Sequence, residues 1–432
     1  MIKSPWVPLQ SQGLSVFWGI LLQIYNFQRH DNGPVLKFVA HMKTEIYFDH
    51  NATTRPAPEV REQILDWIEA WGNPSSVHQF GRGPKSLMRW SRVQVGSMIG
   101  ADPLEVIFTS GGSEGNNTVI KGVFFRRVLQ RNHFLVSSVE HPSVLKAFEF
   151  LKSQGAEVET IAVDRNGTID LERFEKQVRD DTCLVSVMLA NNETGTVFPI
   201  KKMAKIAHKK GALFHSDAVQ ALGKMLFDVK DLDVDFATFS AHKFYGLKGC
   251  GVLYIKRGGQ IVSLVHGGGH ERGRRAGTEN VLGIASLAAM SARMRLVESK
   301  IQEIAKLRDL METRILDLIP QVSITAKESK RICNTSSMVL SDVDGEVLLM
   351  NLDMEGVAVS TGAACSSGAQ EPSRALQAMG LSREEAQSSL RVSLGWNSTE
   401  EEVLRFVEIL KRVVERVRGL SLSRASSVEM QL

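Results

Sequence analysis

The sequence predicts an α/β fold with a large, mostly parallel sheet covered by helices on both faces, followed by a smaller α+β part. Three observations predict it. From about residue 60 to 280, short runs rich in Val, Ile and Phe alternate with longer helical patterns, which is how a parallel sheet is wound. Several of the runs are apolar throughout, as strands buried on both faces must be. After about residue 317 the regular alternation stops, and short strand-like runs surround single helices.

Taken in order, the chain opens with an apolar stretch, "LSVFWGILLQIYNF" from Leu14 to Phe27, interrupted by Gln23 and Asn26. It is shorter than the ~20 residues of a membrane-spanning helix, and no small-residue cleavage pattern follows it. Residues 1–41 therefore read as an extension of open purpose, and Met42 begins a more conventional start, "MKTEIYFDHNATT". The runs "EVIFTS", "HFLVSS", "CLVSVMLA", "ALFHSDA", "DFATFSA" and "GVLYIKR" read as strands of one sheet. A long helical segment spans roughly 280–317, and then "VSITA", "SSMVLS", a helix over "GEVLLMNLDMEG", "VAVSTG" and "LRVSLG" form the smaller part. The last helix opens at "NSTEEEVLRFVEIL", where Ser398 with Glu401 three places on has the spacing of a capping box. The polar tail 421–432 is expected to fray. This division gives a large domain over 55–300 and a small one built from 42–54 and 301–420.

Composition excludes several classes. The 432 residues carry 52 Lys and Arg against 48 Asp and Glu, a net charge of +4, too balanced for the concentrated basic face of a nucleic-acid binder. Cys183, Cys250, Cys333 and Cys365 are scattered and form no CxxC pair, the pattern of neither a disulfide framework nor a structural zinc site. A reducing compartment, the cytoplasm, suits such a chain, with no membrane association. His266 and His270 have no carboxylate or thiolate set at ligand spacing, so no metal is expected there.

Open α/β sheets bind ligands outside the carboxyl ends of their strands, and those ends are polar here. "FTSGGSEGNN" (108–117) joins a strand to a helix, so its Gly-rich backbone and the Ser113 hydroxyl stand at the positive end of a helix dipole, an anion site. "SVEHPSV" puts Glu140 and His141 at the next end, "HSDAVQALGK" puts Asp217 and Gln220 at another, and "SAHKFYG" supplies Ser240, His242 and Lys243. Each alone has a plain structural reading as a turn, a cap or a solvated charge. Together, an anion cradle, a carboxylate, an imidazole and a strand-end lysine are what pyridoxal phosphate requires. The amine forms a Schiff base, the carboxylate keeps the pyridine nitrogen protonated, and the cradle holds the phosphate.

From about Met42 to Leu420 the chain resembles the cysteine desulfurases, members of the class V aminotransferase group of fold-type I pyridoxal-phosphate enzymes. The resemblance rests on "YFDHNATT", "GNPSSVHQFG", "TSGGSEGNN", "EHPSV", "NNETGTVFPI", "HSDAVQALGK", "SAHKFYGLKG", "GGGHERGRRAGTENV", "STGAACSSG" and "LRVSLG", in that family's order. It implies that Lys243 carries the cofactor, His141 stacks on its ring and acts in acid-base steps, Asp217 pairs with the pyridinium, and Gln220 contacts the phenolic oxygen. It further implies that Asn192 lies against the cofactor, and that Gly112, Ser113, Ser240 and His242 bind the phosphate. Ser113 stands where threonine is frequent in the family, with the hydroxyl retained. Thr278 is implied to reach across a homodimer interface to the second subunit's phosphate, Arg391 to grip the substrate carboxylate through a planar fork, and Asn51 to touch substrate. Near Thr278, the cluster Arg272, Arg274 and Arg275 is expected at the dimer interface or cleft mouth.

Cys365 decides the implied activity. It lies in "STGAACSSGAQEPS", a run of small residues with little to anchor it, as suits a thiol that attacks substrate in the cleft and then delivers sulfur elsewhere. The implied reaction converts L-cysteine to L-alanine, leaves a persulfide on Cys365, and passes sulfur to an iron-sulfur scaffold or a tRNA-thiolation relay. Cys183, Cys250 and Cys333 read as packing residues. The alternatives are a class V aminotransferase or selenocysteine lyase using the same cofactor site, and a cofactor-binding scaffold without turnover.

Overall fold

The computed structural model describes residues 46–126, 131–361 and 371–429. The extension 1–41, residues 42–45 and Cys365 lie outside the described residues. The first strand, β1 (Ile46–Tyr47), precedes helices α1 (Pro58–Glu69) and α2 (Gln79–Ile99). Then follow β2 (Val106–Thr109), α3 (Gly112–Arg126), β3 (His133–Ser137), α4 (Pro142–Ser153), β4 (Glu157–Ile161), α5 (Leu171–Gln177), β5 (Thr182–Ser186), α6 (Ile200–Lys209), β6 (Leu213–Asp217), β7 (Phe236–Ser240) and β8 (Gly251–Ile255). Helices α7 (Val281–Ala289) and α8 (Val297–Leu318) lead to β9 (Val322–Ile324), β10 (Thr335–Leu340), α9 (Gly345–Met354), β11 (Val357–Ala358), α10 (Arg374–Ala378), α11 (Arg383–Gln387), β12 (Ser389–Ser393) and α12 (Glu400–Glu429).

Seven strands form one sheet in the order β2-β8-β7-β6-β5-β3-β4. Every neighbouring pair from β7 to β4 is parallel, and only β8 runs against the rest. All six runs read as strands are in this sheet. β4 was not among them because its sequence, EVETI, offers no apolar run; it is an edge strand, with Glu157 and Thr160 exposed and only Ile161 buried. Side chains alternate between two cores as the two-residue strand period requires. Ile107, Phe134, Val136, Phe236, Leu253 and Ile255 join the core under α3 and α4, while Val106, Phe108, Leu135, Ala237, Phe239, Val252 and Tyr254 join the larger core on the other face. Beyond the large sheet, β12, β10 and β9 make an antiparallel sheet, and β1 pairs with β11 in parallel.

Two expectations are corrected. The helical segment 280–317 is two helices, α7 and α8, joined by a 3-10 stretch over Met290–Leu296. Arg293 in that stretch pairs with Glu59 at 2.8 and 2.9 Å and lies over the Tyr245 and Trp396 rings. The capping box sits one residue later than predicted: Glu402 N donates to Thr399 Oγ1 at 3.2 Å, and Thr399 N donates to Glu402 Oε2 at 2.9 Å. Ser398 is otherwise engaged, its Oγ accepting from Gly395 N at 2.9 Å. The backbone of α12 is helical over Glu400–Glu429. After Gly419 no glycine or proline interrupts it. Among the described residues no helix is long and apolar enough to cross a membrane.

Candidate active site

Because β2, β3, β5, β6 and β7 all point one way, their carboxyl ends open on one side of the sheet, and the polar residues that follow them line one cleft. β7 ends at Ser240, and a single 3-10 turn, Ala241–Lys243, brings the lysine out of it. The turn is clamped from both sides. His242 O accepts from Thr54 N at 2.9 Å and Thr54 Oγ1 at 2.8 Å. Below it lies Gly223, at φ +75°, where a methyl would stand 2.1 Å from Phe244 Cε2; only glycine fits. Lys243 Nζ donates to Asn51 O and Ala52 O, each at 2.6 Å. Its pKa is lowered to about 8, first by burial and next by the Arg391 charge, with Asp49 and Asp217 pulling it back up. A lysine in that range keeps a useful share of free amine near neutral pH.

Asp217 is the last residue of β6 and is buried. Its Oδ1 accepts from Val219 N at 3.0 Å and its Oδ2 from Asn116 Nδ2 at 2.7 Å. Gln220, on the turn beyond, donates from Nε2 to Asn51 O at 3.0 Å. Its Oε1 accepts from Lys224 Nζ, which also reaches Asn51 Oδ1 at 2.9 Å. Lys224 is fully enclosed, and burial, reinforced by the Lys243 charge, holds its pKa well below the usual lysine value.

His141 caps α4 from beyond the end of β3: its Nδ1 accepts from Ser143 N at 3.1 Å and lies 2.8 Å from Ser143 Oγ. Desolvation lowers its pKa, opposed by the Asp217 charge and assisted by that of Lys243, so the three residues share one field. Behind it, Glu140 is buried, with Oε1 accepting from Ser137 Oγ and Met188 N at 2.6 Å. Burial pushes its pKa up to about 8.

The cradle forms where α3 begins. A methyl on Gly112 would stand 2.8 Å from Val219 Cγ2 and 4.0 Å from Ser240 Cβ, so the start of the helix, the Asp217 turn and the Lys243 strand close on one small space. The first N–H groups of α3 have no intrahelical partners. Ser113 is exposed there. His242, half-buried, places Nδ1 3.1 Å from Thr53 Oγ1, and burial lowers its pKa to about 4, so the ring is neutral. Thr278 is exposed on the loop after the turn His270–Gly273. Arg275 ties that loop to the first turn of α3 through Glu114, at 2.9 Å, while Arg272 donates to the Leu104 and Val106 carbonyls.

Arg391, on β12, enters from the other side. Nη2 meets Asp49 Oδ1 at 2.7 Å, Nη1 meets Asn192 O at 3.2 Å, and Nε is buried with no acceptor among the described residues. Two of the five N–H donors of the guanidinium are thus committed, to Asp49 and Asn192. The Asn51 side chain is spent within the protein, on Asn192 O, Thr335 Oγ1 and Asn334 as well as Lys224; it meets the site through its backbone carbonyl. Cys183, Cys250 and Cys333 are buried, and burial pushes their thiols up to about 11, 12 and 11, as packing residues.

Sequence reasoning missed Asn116, Ser143, Lys224 and Asp49. All four lie inside or beside motifs already singled out. Asn116 lies in the first turns of α3, and Lys224 stands four residues beyond Gln220, which it bonds.

The donor set fits pyridoxal phosphate. A depressed amine, a buried carboxylate held by two donors, a small-residue cradle at a helix start and a buried guanidinium answer in turn to its aldehyde, its ring nitrogen, its phosphate and a substrate carboxylate.

Comparison with known proteins bears on the same residues. Residues 46–406 match the family profile described as Aminotransferase class-V. The chain is 42% identical over 382 residues to the cysteine desulfurase IscS of Dictyoglomus turgidum, covering 88% of this chain and 97% of that protein. Among solved structures, a NifS-like protein superposes with a TM-score of 0.81 at 37% identity, covering 86% of this chain and all of that one (100%). SspA in complex with cysteine superposes with a TM-score of 0.71 at 32% identity, covering 81% of this chain and 99% of that one.

Proposed function

Since the chain belongs to the class-V aminotransferase family, we infer that it is a pyridoxal-phosphate-dependent cysteine desulfurase that converts L-cysteine to L-alanine and takes the sulfur onto Cys365. The observation that carries this reading is the meeting of a depressed lysine, Lys243, with Asp217 and His141 at the carboxyl edge of one sheet. The solved relative bound to cysteine supports the substrate class.

When bound, the cofactor supplies a cationic ring that withdraws electrons from the substrate's Cα and Cβ. Lys243 would hold it covalently and, when free, would take the substrate's Cα proton on Nζ. Asp217 would pair with its ring nitrogen and Gln220 with its phenolic oxygen, while His141 and Asn192 would hold the ring. Gly112, Ser113, Ser240 and His242 would hold its phosphate, and Thr278 would serve the phosphate site of the second subunit in a homodimer. Arg391 would bind the substrate carboxylate through its guanidinium, and Asn51 would line the substrate through its carbonyl. His141 would act on the substrate sulfur through a hydrogen bond. Thiolate Sγ of Cys365 then attacks that sulfur: an S–S bond forms as the Cβ–S bond breaks, the electron pair stays with carbon, and a proton added at Cβ together with the return of the Cα proton from Lys243 Nζ completes alanine. The persulfide is passed to an iron-sulfur assembly scaffold or a tRNA-thiolation relay in the cytoplasm.

Alanine release from L-cysteine in the presence of a thiol reductant tests the reading. Cys365→Ala is expected to keep the cofactor absorbance and to lose alanine formation to the rate without enzyme. Unchanged turnover in that variant would remove the thiol step.

A further inference from the structure

We propose that Ser143 and Asn116 are positioning residues that fix His141 as its Nε2–H tautomer and tether the ring to the Asp217 carboxylate, so that His141 works as a neutral hydrogen-bond donor. The chemistry assigned to that donor rests on the desulfurase reading; the tautomer does not.

Hydrogen-bond direction decides the tautomer. Asp217 Oδ2 lies 2.7 Å from Asn116, and a carboxylate oxygen next to an amide calls for its NH2 rather than its oxygen. That sets the Asn116 amide, whose second hydrogen points to Ser143 Oγ at 2.9 Å. With its oxygen accepting from Asn116, the Ser143 hydroxyl turns its own hydrogen to His141 Nδ1, 2.8 Å away. Ser143 N, which can only donate, reaches the same Nδ1 at 3.1 Å. Two donors converge on one ring nitrogen, so Nδ1 holds a lone pair and the proton sits on Nε2. Among the described residues Nε2 has no protein partner, and the residue is exposed, which leaves that N–H for a ligand.

The same geometry opposes the imidazolium. A proton on Nδ1 would face the Ser143 N–H and the positive end of α4. Of the charged groups facing the ring, Lys243 also disfavours the cation, and Asp217 favours it. A neutral imidazole at a helix start that polarises its ligand by donation is a known solution in enzymes. Here Nε2–H is suited to stabilise a sulfur anion, and it is already protonated, so it is not a base toward that sulfur. The proton of an incoming thiol therefore goes elsewhere, to solvent.

Nitrogen-15 NMR of the holoenzyme labelled at histidine tests this without turnover, with His141→Gln identifying the resonances. The expected result is a bare Nδ1 and a protonated Nε2 above pH 7. Ser143→Ala removes one of the two bonds into Nδ1, and the His141 titration should rise by about half to one pH unit; Ser143→Thr should restore it. A protonated Nδ1 in the wild type, or a titration unmoved by Ser143→Ala, overturns the proposal. Should the alanine variant fail to fold, the wild-type tautomer alone decides. Alanine release is assayed separately, so loss of the desulfurase reading is recognisable as such.

Discussion

The two edges of the seven-stranded sheet are built from the same residue types and do different things. At the amino edge, Arg179 makes a fork to Glu157 at 2.6 and 2.8 Å and a second to Asp181 at 2.8 and 2.9 Å, and all three side chains stand well out in solvent. At the carboxyl edge, Lys243, Asp217, Glu140 and Lys224 are withdrawn from water, and each is held by two directed bonds to neighbouring groups. Shorter ion pairs do not mean stronger consequences. In water a forked pair gains little over hydration, whereas in the cleft desolvation shifts the ionisation of Lys243, Glu140 and Lys224.

The largest expected effect is at Lys243. Lys243→Ala removes both the covalent anchor and the base, so alanine release should fall by more than about 10⁴-fold, the upper range for a positioned proton-transfer group, and the cofactor should bind without its protein-linked absorbance. Retained turnover would end the argument that this edge is the catalytic one. A smaller effect concerns the lowered pKa itself. Only the neutral amine attacks an aldehyde, and Lys243 loses its proton at about 8 rather than the usual 10.5. The neutral share therefore grows with pH up to about 8 and then levels. Cofactor capture by the stripped enzyme should slow about tenfold per unit as pH falls below 8 and change little above it; a rate still climbing at pH 10 would mean that the cleft does not depress this lysine.

Much of this was legible beforehand because the strand runs end in Ser, Asp or Asn and periodicity marks where strands stop. That logic put Asp217 and Ser240 at strand ends, where they are. It did not reveal the links between ends. Nothing in a linear pattern shows that Asn116 on α3 bridges Asp217 to Ser143 on α4, or that Asp49 occupies part of the Arg391 fork, because those contacts join residues 27, 101 and 342 positions apart. β4 escaped for the opposite reason: an edge strand needs only one covered face, so its sequence carries no apolar run. The cap at Thr399 was a tie between overlapping patterns, Ser398 with Glu401 and Thr399 with Glu402, broken by the Gly395 turn that claims Ser398.

The smallest effect is predicted where the hydrogen bonds are most numerous. Arg179→Ala deletes four contacts shorter than 3 Å, yet the carboxylates it leaves behind are exposed and rehydrate, and the guanidinium no longer has to be held still. The melting temperature should move by less than about 3 °C, and alanine release should be unchanged, since the pair lies at the end of the sheet away from the cleft. High salt should narrow even that difference, because exposed charges are screened over about 10 Å at 0.1 M. A drop in melting temperature as large as that from a buried-pair deletion such as Glu312→Ala, whose partner Arg331 sits 2.7 Å away with both side chains 5% exposed, would show that the amino edge is held by its charges after all, and the contrast between the edges would then be one of function without one of energetics.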